Sequence, residues 1–144
     1  MTVVLYGSPG ADITSVSQLG VPPGHAFYEI GVNDGVATTI AETYPFKTPI
    51  QDVPGFTQLS VNSGADPEGE WHERAYGHSE YARNGNNGLL RMSGYNMAAV
   101  LAGVDDPNNP GGYRFLVKPP QLPPPTVPAF GFFGPPLPNP AYHP

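Results

Sequence analysis

The densest group of side chains able to move protons or hold a metal runs from Trp71 to Glu80, in the order Trp-His-Glu-Arg-Ala-Tyr-Gly-His-Ser-Glu. A zinc-protease helix puts two imidazoles at i and i+4 on one face, in H-E-x-x-H. Here His72 and His78 are six residues apart. On a helix their rings would point roughly 120° away from each other. On a strand they would share a face but stand about 20 Å apart. Neither geometry brings them to one ion. The segment therefore reads as polar surface or subunit contact anchored by Trp71, not as a catalytic or metal centre.

The other chemical signals are weaker. Asp105-Asp106-Pro107-Asn108-Asn109 offers oxygen ligands, but a calcium loop needs alternating spacing and a later bidentate carboxylate. A plain turn is expected there. The chain has no G-x-S-x-G elbow, no phosphate-binding P-loop and no G-x-G-x-x-G. It has no cysteine, which removes disulfides, thiolate zinc sites and cysteine nucleophiles. These observations predict a protein that is not an enzyme, with no cofactor and no metal.

The elements that would position any site are short. Thr2–Tyr6 and His25–Ile30 are β-branched and aromatic runs ended by turn residues, and both predict strands. Asn33-Asp34-Gly35 predicts a hairpin turn into a second strand over 36–42. Further strands are expected in 46–50, 56–61 and 89–92, with the clearest in Tyr113–Lys118. Asp66-Pro67-Glu68 suggests the first turn of a short helix carrying Trp71, Ala75 and Tyr76. Met97–Ala102 fits a two-turn helix or a strand, with Asn96 and Gly103 as caps favouring the helix. Residues 7–24 read as an extended loop or arm with Ile13, Val16 and Leu19 as anchors. The expected fold is mainly β. It would be a small antiparallel sandwich or barrel-like body over residues 1–118, with at most one or two short helices.

From Pro119 the character changes. Residues 119–144 hold 11 prolines and no Asp, Glu, Lys or Arg. Proline fixes φ and removes a backbone donor, so an extended, largely polyproline II arm is expected. It carries Leu122, Val127, Phe130, Phe132, Phe133, Leu137 and Tyr142. So many apolar groups left in water would be an aggregation hazard, which predicts burial on a partner. Together with Trp71 and Tyr76, these are the expected partner-binding residues. The arm also contains P-x-x-P spacings, open to SH3 or WW domains, and Asn139-Pro140-Ala141-Tyr142, the N-P-x-Y peptide of phosphotyrosine-binding domains. In a segment this rich in proline the P-x-x-P spacing is expected by chance, and the four residues of N-P-x-Y carry little information.

Charge narrows the partner class. Only 12% of residues are charged and the net charge is −6. The six basic residues form no run, so nucleic acid finds no electrostatic footprint. No stretch approaches the roughly 20 apolar residues of a membrane span, and the first residues do not form a signal peptide. Glycine and proline make up 38 of 144 residues, against about 12% in an ordinary protein.

In its short β-rich body, low charge, lack of cysteine and Gly/Pro-rich arms (7–24 and 119–144), the chain resembles head decoration or cement proteins of tailed-phage virions. That resemblance implies a structural virion protein, made in the host cytoplasm and placed on the capsid surface. It would be a homo-oligomer, most simply a trimer, clamping the major capsid protein or another virion protein through its arms. The alternatives are a phage tail, neck or fibre component, or a proline-rich adaptor or ligand-binding domain.

Overall fold

A computed structural model describes residues 1–31, 33–40, 48–103, 105–106, 109–113, 115–120, 126–127 and 137–138. Short strands in small sheets and one α-helix make up the body, as the composition implies. The main sheet differs from expectation, because it is parallel. Strands β1 (Val3–Tyr6), β2 (Ala26–Glu29) and β3 (Thr57–Gln58) lie in the order β1-β2-β3, with Val3 opposite Ala26 and Phe27 opposite Thr57. All four residues of β2 are buried. A strand covered on both faces shows no polar alternation, and this is the mark of parallel sheets.

The two faces of β2 are covered by different parts of the chain. Ala26 and Tyr28 point to a layer built from Val16, Val21, Ile50 and Val53, with Val3, Leu5 and Phe56 beside them. Phe27 points the other way, to Leu59 and Val100, with Val4 and Leu116 at the margin. Burying one side chain such as Phe27 contributes roughly 1.5–3 kcal/mol. Residues 7–24 supply part of this cover. They include a 3-10 turn at Val16–Leu19, capped by the Ser15 hydroxyl and ended by Gly20, and Val16 is core.

Helix α1 (Met92–Ala102) is longer than the expected two turns. Its start is set by Met92, whose amide donates to the Glu73 carbonyl at 2.9 Å. Gly103, in the left-handed region at φ +59°, ends it as expected. Asn96 is a buried bracket rather than a cap. Its amide group donates to the Ser60 and Val117 carbonyls at 2.9 Å, and its Oδ1 accepts from the Val117 amide at 2.8 Å.

Several local expectations are corrected. No hairpin follows Asp34, because residues Val36–Ile40 wind into a π-helical turn capped by the Asp34 carboxylate. Residues 66–72 form a turn and then the short strand β5 (Trp71–His72), paired antiparallel with β4 (Gly64–Ala65). The Asp66 side chain accepts from the Glu68 and Glu70 amides, which fixes a turn instead of a helix. Strand β7 (Asn109–Tyr113) pairs with β6 (Asp105–Asp106) where a plain turn was expected. The strand expected over Tyr113–Lys118 is interrupted at Phe115, which takes φ +68°. In the proline-rich arm, β8 (Thr126–Val127) pairs antiparallel with β9 (Leu137–Pro138), so it is not a polyproline helix throughout. Leu122, Phe130, Phe132, Phe133 and Tyr142 lie outside the described residues, as do residues 41–47 of the two expected strands on either side. Among the described residues the strands form one three-stranded and three two-stranded sheets, and no helix is long and apolar enough to cross a membrane.

Candidate active site

Two features of β1 and β2 create a site at the carboxyl end of the parallel sheet, where open α/β sheets bind ligands. Strand β1 is followed by Gly7, whose amide donates to the Glu29 carbonyl at 3.0 Å. Strand β2 ends at Glu29, and the chain then turns through Gly31 to Asp34. The Asp34 amide donates to the Gly31 carbonyl at 3.0 Å, which closes that turn.

Asp34 is fully buried. Its Oδ1 accepts from the Val36 and Ala37 amides, each at 3.0 Å. Its Oδ2 accepts from the Tyr81 hydroxyl at 2.6 Å. The His78 Nδ1 lies 3.1 Å from both oxygens. Burial alone would raise the Asp34 carboxyl. The donors from Tyr81, Ala37 and His78, with the His78 charge, outweigh it and hold the group below the usual carboxylate range. An ionised carboxylate can only accept, so His78 Nδ1 carries a proton. In the neutral ring Nε2 is then a free acceptor. The His78 side chain is 50% exposed, so this nitrogen belongs to a ring within reach of solvent.

Gly7 makes the contact possible. A Cβ at this position would stand 2.9 Å from Asp34 Oδ2 and 2.9 Å from His78 Nδ1. Its φ of +59° also disfavours any other residue. The backbone of β1 thus forms the floor on which the acid and the imidazole meet.

The loop carrying His78 is tied down from several sides. Arg91, at the start of α1, donates to the Arg74 carbonyl at 2.6 Å and lies 3.7 Å from Glu80 Oε1. Glu80 Oε2 accepts from the Tyr76 amide at 2.7 Å. Ser93 Oγ donates to the Tyr81 carbonyl at 2.7 Å. The ring of Tyr81 tilts against Tyr6 of β1 at 5.6 Å.

His72, the other histidine of the cluster, sits apart in a different setting. It is buried, with Nδ1 2.8 Å from the Leu90 carbonyl and Nε2 2.9 Å from Asp66 Oδ2. Carbonyl and carboxylate both accept, so the ring donates from both nitrogens as an imidazolium. Burial opposes that charge, but the bonds from Asp66 and Leu90 outweigh it and raise the His72 pKa. The hydrogen bond from His72 in turn lowers that of Asp66. Asp66, Glu70 and His72 have ligand atoms within 4.8 Å of one another. In this hydrogen-bonded form the ring has no lone pair to offer, and the His72–Asp66 pair ties β5 to the turn before it.

His72 and His78 thus have separate partners, Asp66 and Asp34. The spacing of His78 from His72 excludes a shared site, and the partner of His78 is instead Asp34, 44 residues away. The Asn33-Asp34-Gly35 sequence predicts a hairpin turn at that position. The available signal was the order of types: a buried apolar strand, an aspartate soon after it, and a histidine later on. Of the expected partner-binding residues, Trp71 and Tyr76 are exposed, with the Arg74 guanidinium 4.8 Å from the Tyr76 ring centre. Val127 and Leu137 pair with each other in β8 and β9.

Residues 1–45 match the model of a family described as alpha/beta hydrolase. The matched span contains β1, Gly7, β2 and Asp34, and ends before His78. The chain is also similar to Uncharacterized protein Mb0988c of Mycobacterium bovis and Uncharacterized protein Rv0963c of Mycobacterium tuberculosis. Each is 63% identical over 78 residues, which is 51% of this chain and 29% of the relative. The chain therefore spans less than a third of the length of these curated relatives. No solved structure matches. These likenesses overturn the resemblance to phage cement proteins, and with it the expectation of a non-enzymatic virion subunit.

Proposed function

We propose that Asp34 and His78 are the acid and the base of a hydrolase site of the serine–histidine–acid kind, completed by a nucleophilic hydroxyl outside the described residues. In such sites the acid fixes the tautomer of the imidazole, and the other ring nitrogen takes the proton of the attacking hydroxyl. The base then returns that proton to the leaving group. The observation that carries the reading is the pair itself: His78 Nδ1 at 3.1 Å from a buried, donor-rich Asp34.

Three further features support it. The acid precedes the base in the chain, the order found in α/β-hydrolases. The pair stands at the carboxyl ends of parallel strands. Among the described residues the outer edge of β1 has no strand beside it, and an open edge invites another strand. That strand, from a part of the protein outside the described residues, would carry the nucleophile to His78. The family match over β1 and β2 supports a hydrolase reading.

The test is labelling of the full-length protein by a fluorophosphonate, which reacts with a hydroxyl only when a base activates it. Labelling should be lost in Asp34→Asn and retained in Asp66→Asn. Equal labelling of Asp34→Asn and the parent would contradict the assignment.

A further inference from the structure

The Tyr81 hydroxyl bridges two groups that leave it no choice of direction. It lies 2.8 Å from the Gly31 amide and 2.6 Å from Asp34 Oδ2. A backbone N–H can only donate, so the phenol oxygen accepts from Gly31. Its own proton must then go to Asp34. Tyr81 is among the most deeply buried side chains of the protein, so water does not compete for either bond.

The two carboxylate oxygens of Asp34 are held differently. Two backbone amides grip Oδ1. Apart from His78, Oδ2 has only the Tyr81 hydroxyl among the described residues. Without that hydroxyl the carboxylate would be free to swing about its Oδ1 anchor, and its two oxygens would no longer both stand 3.1 Å from His78 Nδ1. Tyr81 also lies three residues after His78, with its carbonyl fixed by Ser93 at the head of α1. The phenol therefore ties the loop that carries the base to the acid it must meet.

We infer that Tyr81 is a positioning residue of the pair: its hydroxyl, fixed as a donor by Gly31, sets the plane of the Asp34 carboxylate and through it the bonds that His78 Nδ1 donates. The inference rests on reading Asp34 and His78 as an acid–base pair. Tyr81 touches no reacting atom. Its effect passes through the bond that Nδ1 donates, which decides which ring nitrogen is left to accept a proton.

The experiment is ¹⁵N NMR of the His78 ring in the 144-residue chain and in Tyr81→Phe, which keeps the ring packing and removes only the hydroxyl. In the parent chain the neutral ring should hold its proton on Nδ1. In Tyr81→Phe, with the amide spectrum otherwise preserved, the bond from Nδ1 to Oδ2 should be lost and the ring ¹⁵N shifts should move, while Oδ1 still accepts from Nδ1. Unmoved ring shifts in Tyr81→Phe would overturn the inference. An Nε2–H ring already in the parent would instead overturn the reading of the pair. Should Tyr81→Phe fail to fold, 3-fluorotyrosine placed at position 81 keeps the hydroxyl and makes it a stronger donor. The His78 ring shifts should then move, and unmoved shifts would count against the role. In the full-length protein kcat for Tyr81→Phe should fall about ten- to a hundred-fold with KM unchanged, as a misplaced catalytic group requires.

Discussion

Gly7 and His78 meet where a side chain would keep them apart: a Cβ on Gly7 would lie 2.9 Å from the His78 Nδ1. The carboxylate of Asp34 closes the same space from below. Strand β1 contributes to the site by what it lacks, and a single methyl group there is a precise probe of the pair.

Gly7→Ala should separate His78 from Asp34. Gly20→Ala is the control, because Gly20 shares the left-handed backbone at φ +68° but has nothing within 4 Å of a Cβ. The control should lose only about 1 kcal/mol, the backbone cost of a side chain in that region. Gly7→Ala should lose more, and should also abolish the bonded Nδ1–H signal of His78. Equal losses in chemical denaturation, with the His78 signal intact in both, would show that the close approach is not real.

Glu29 supplies a pH signature. It is fully buried at the end of β2, with neither carboxyl oxygen partnered among the described residues. Burial pushes its carboxyl up to about 9, from the ordinary 4.5. The folded state therefore keeps a proton that the unfolded chain releases. Stability is unaffected below pH 4.5 and is lost as pH rises from there through about 9. The slope for one such group approaches about 1.4 kcal/mol per pH unit. Glu29→Gln should flatten this decline, so that its stability relative to the parent grows by a few kcal/mol between pH 5 and 8. A constant difference across that range in urea titrations would mean that Glu29 is charged when folded.

The His72–Asp66 staple has two limits of opposite sign. His72 has a raised pKa, so its contribution is present at low pH and is lost as pH rises through its folded value. Asp66 has a lowered pKa, so its contribution is lost as pH falls through its folded value. The pair is strongest between the two. Asp66→Asn should lower the Tm most near pH 5–6, and the gap to the parent should narrow above the His72 value. A gap that widens steadily toward pH 9 would contradict the imidazolium assignment.

Much of this was legible locally and little of it globally. The β-branched runs of β1 and β2 announce strands, and Gly103 announces the end of α1. What the residues near Asp34 cannot show is which of two uses the Asp-Gly pair has. A carboxylate that caps a helical turn and one that opens a hairpin have the same neighbours. The choice was made by Tyr81 and His78, more than 40 residues later. Parallel pairing is hidden for the same reason, since β1 and β2 are joined through 19 residues that themselves form one layer of the core. His78 stands out by type, but its spacing from His72 carries no information on its partner in space. The neighbour in sequence is a structural ion pair, and the partner in space is an aspartate.

The two histidines therefore make the decisive comparison. Ester hydrolysis by the full-length protein should be measured for His78→Gln and His72→Gln against the parent. His78→Gln should lower kcat by about 10⁴-fold or more, the scale on which loss of a catalytic base is felt. His72→Gln should lower the Tm while leaving kcat within a few-fold. Parent-like turnover in His78→Gln, at any stability, would contradict the assignment of this pair as the acid and base of the site.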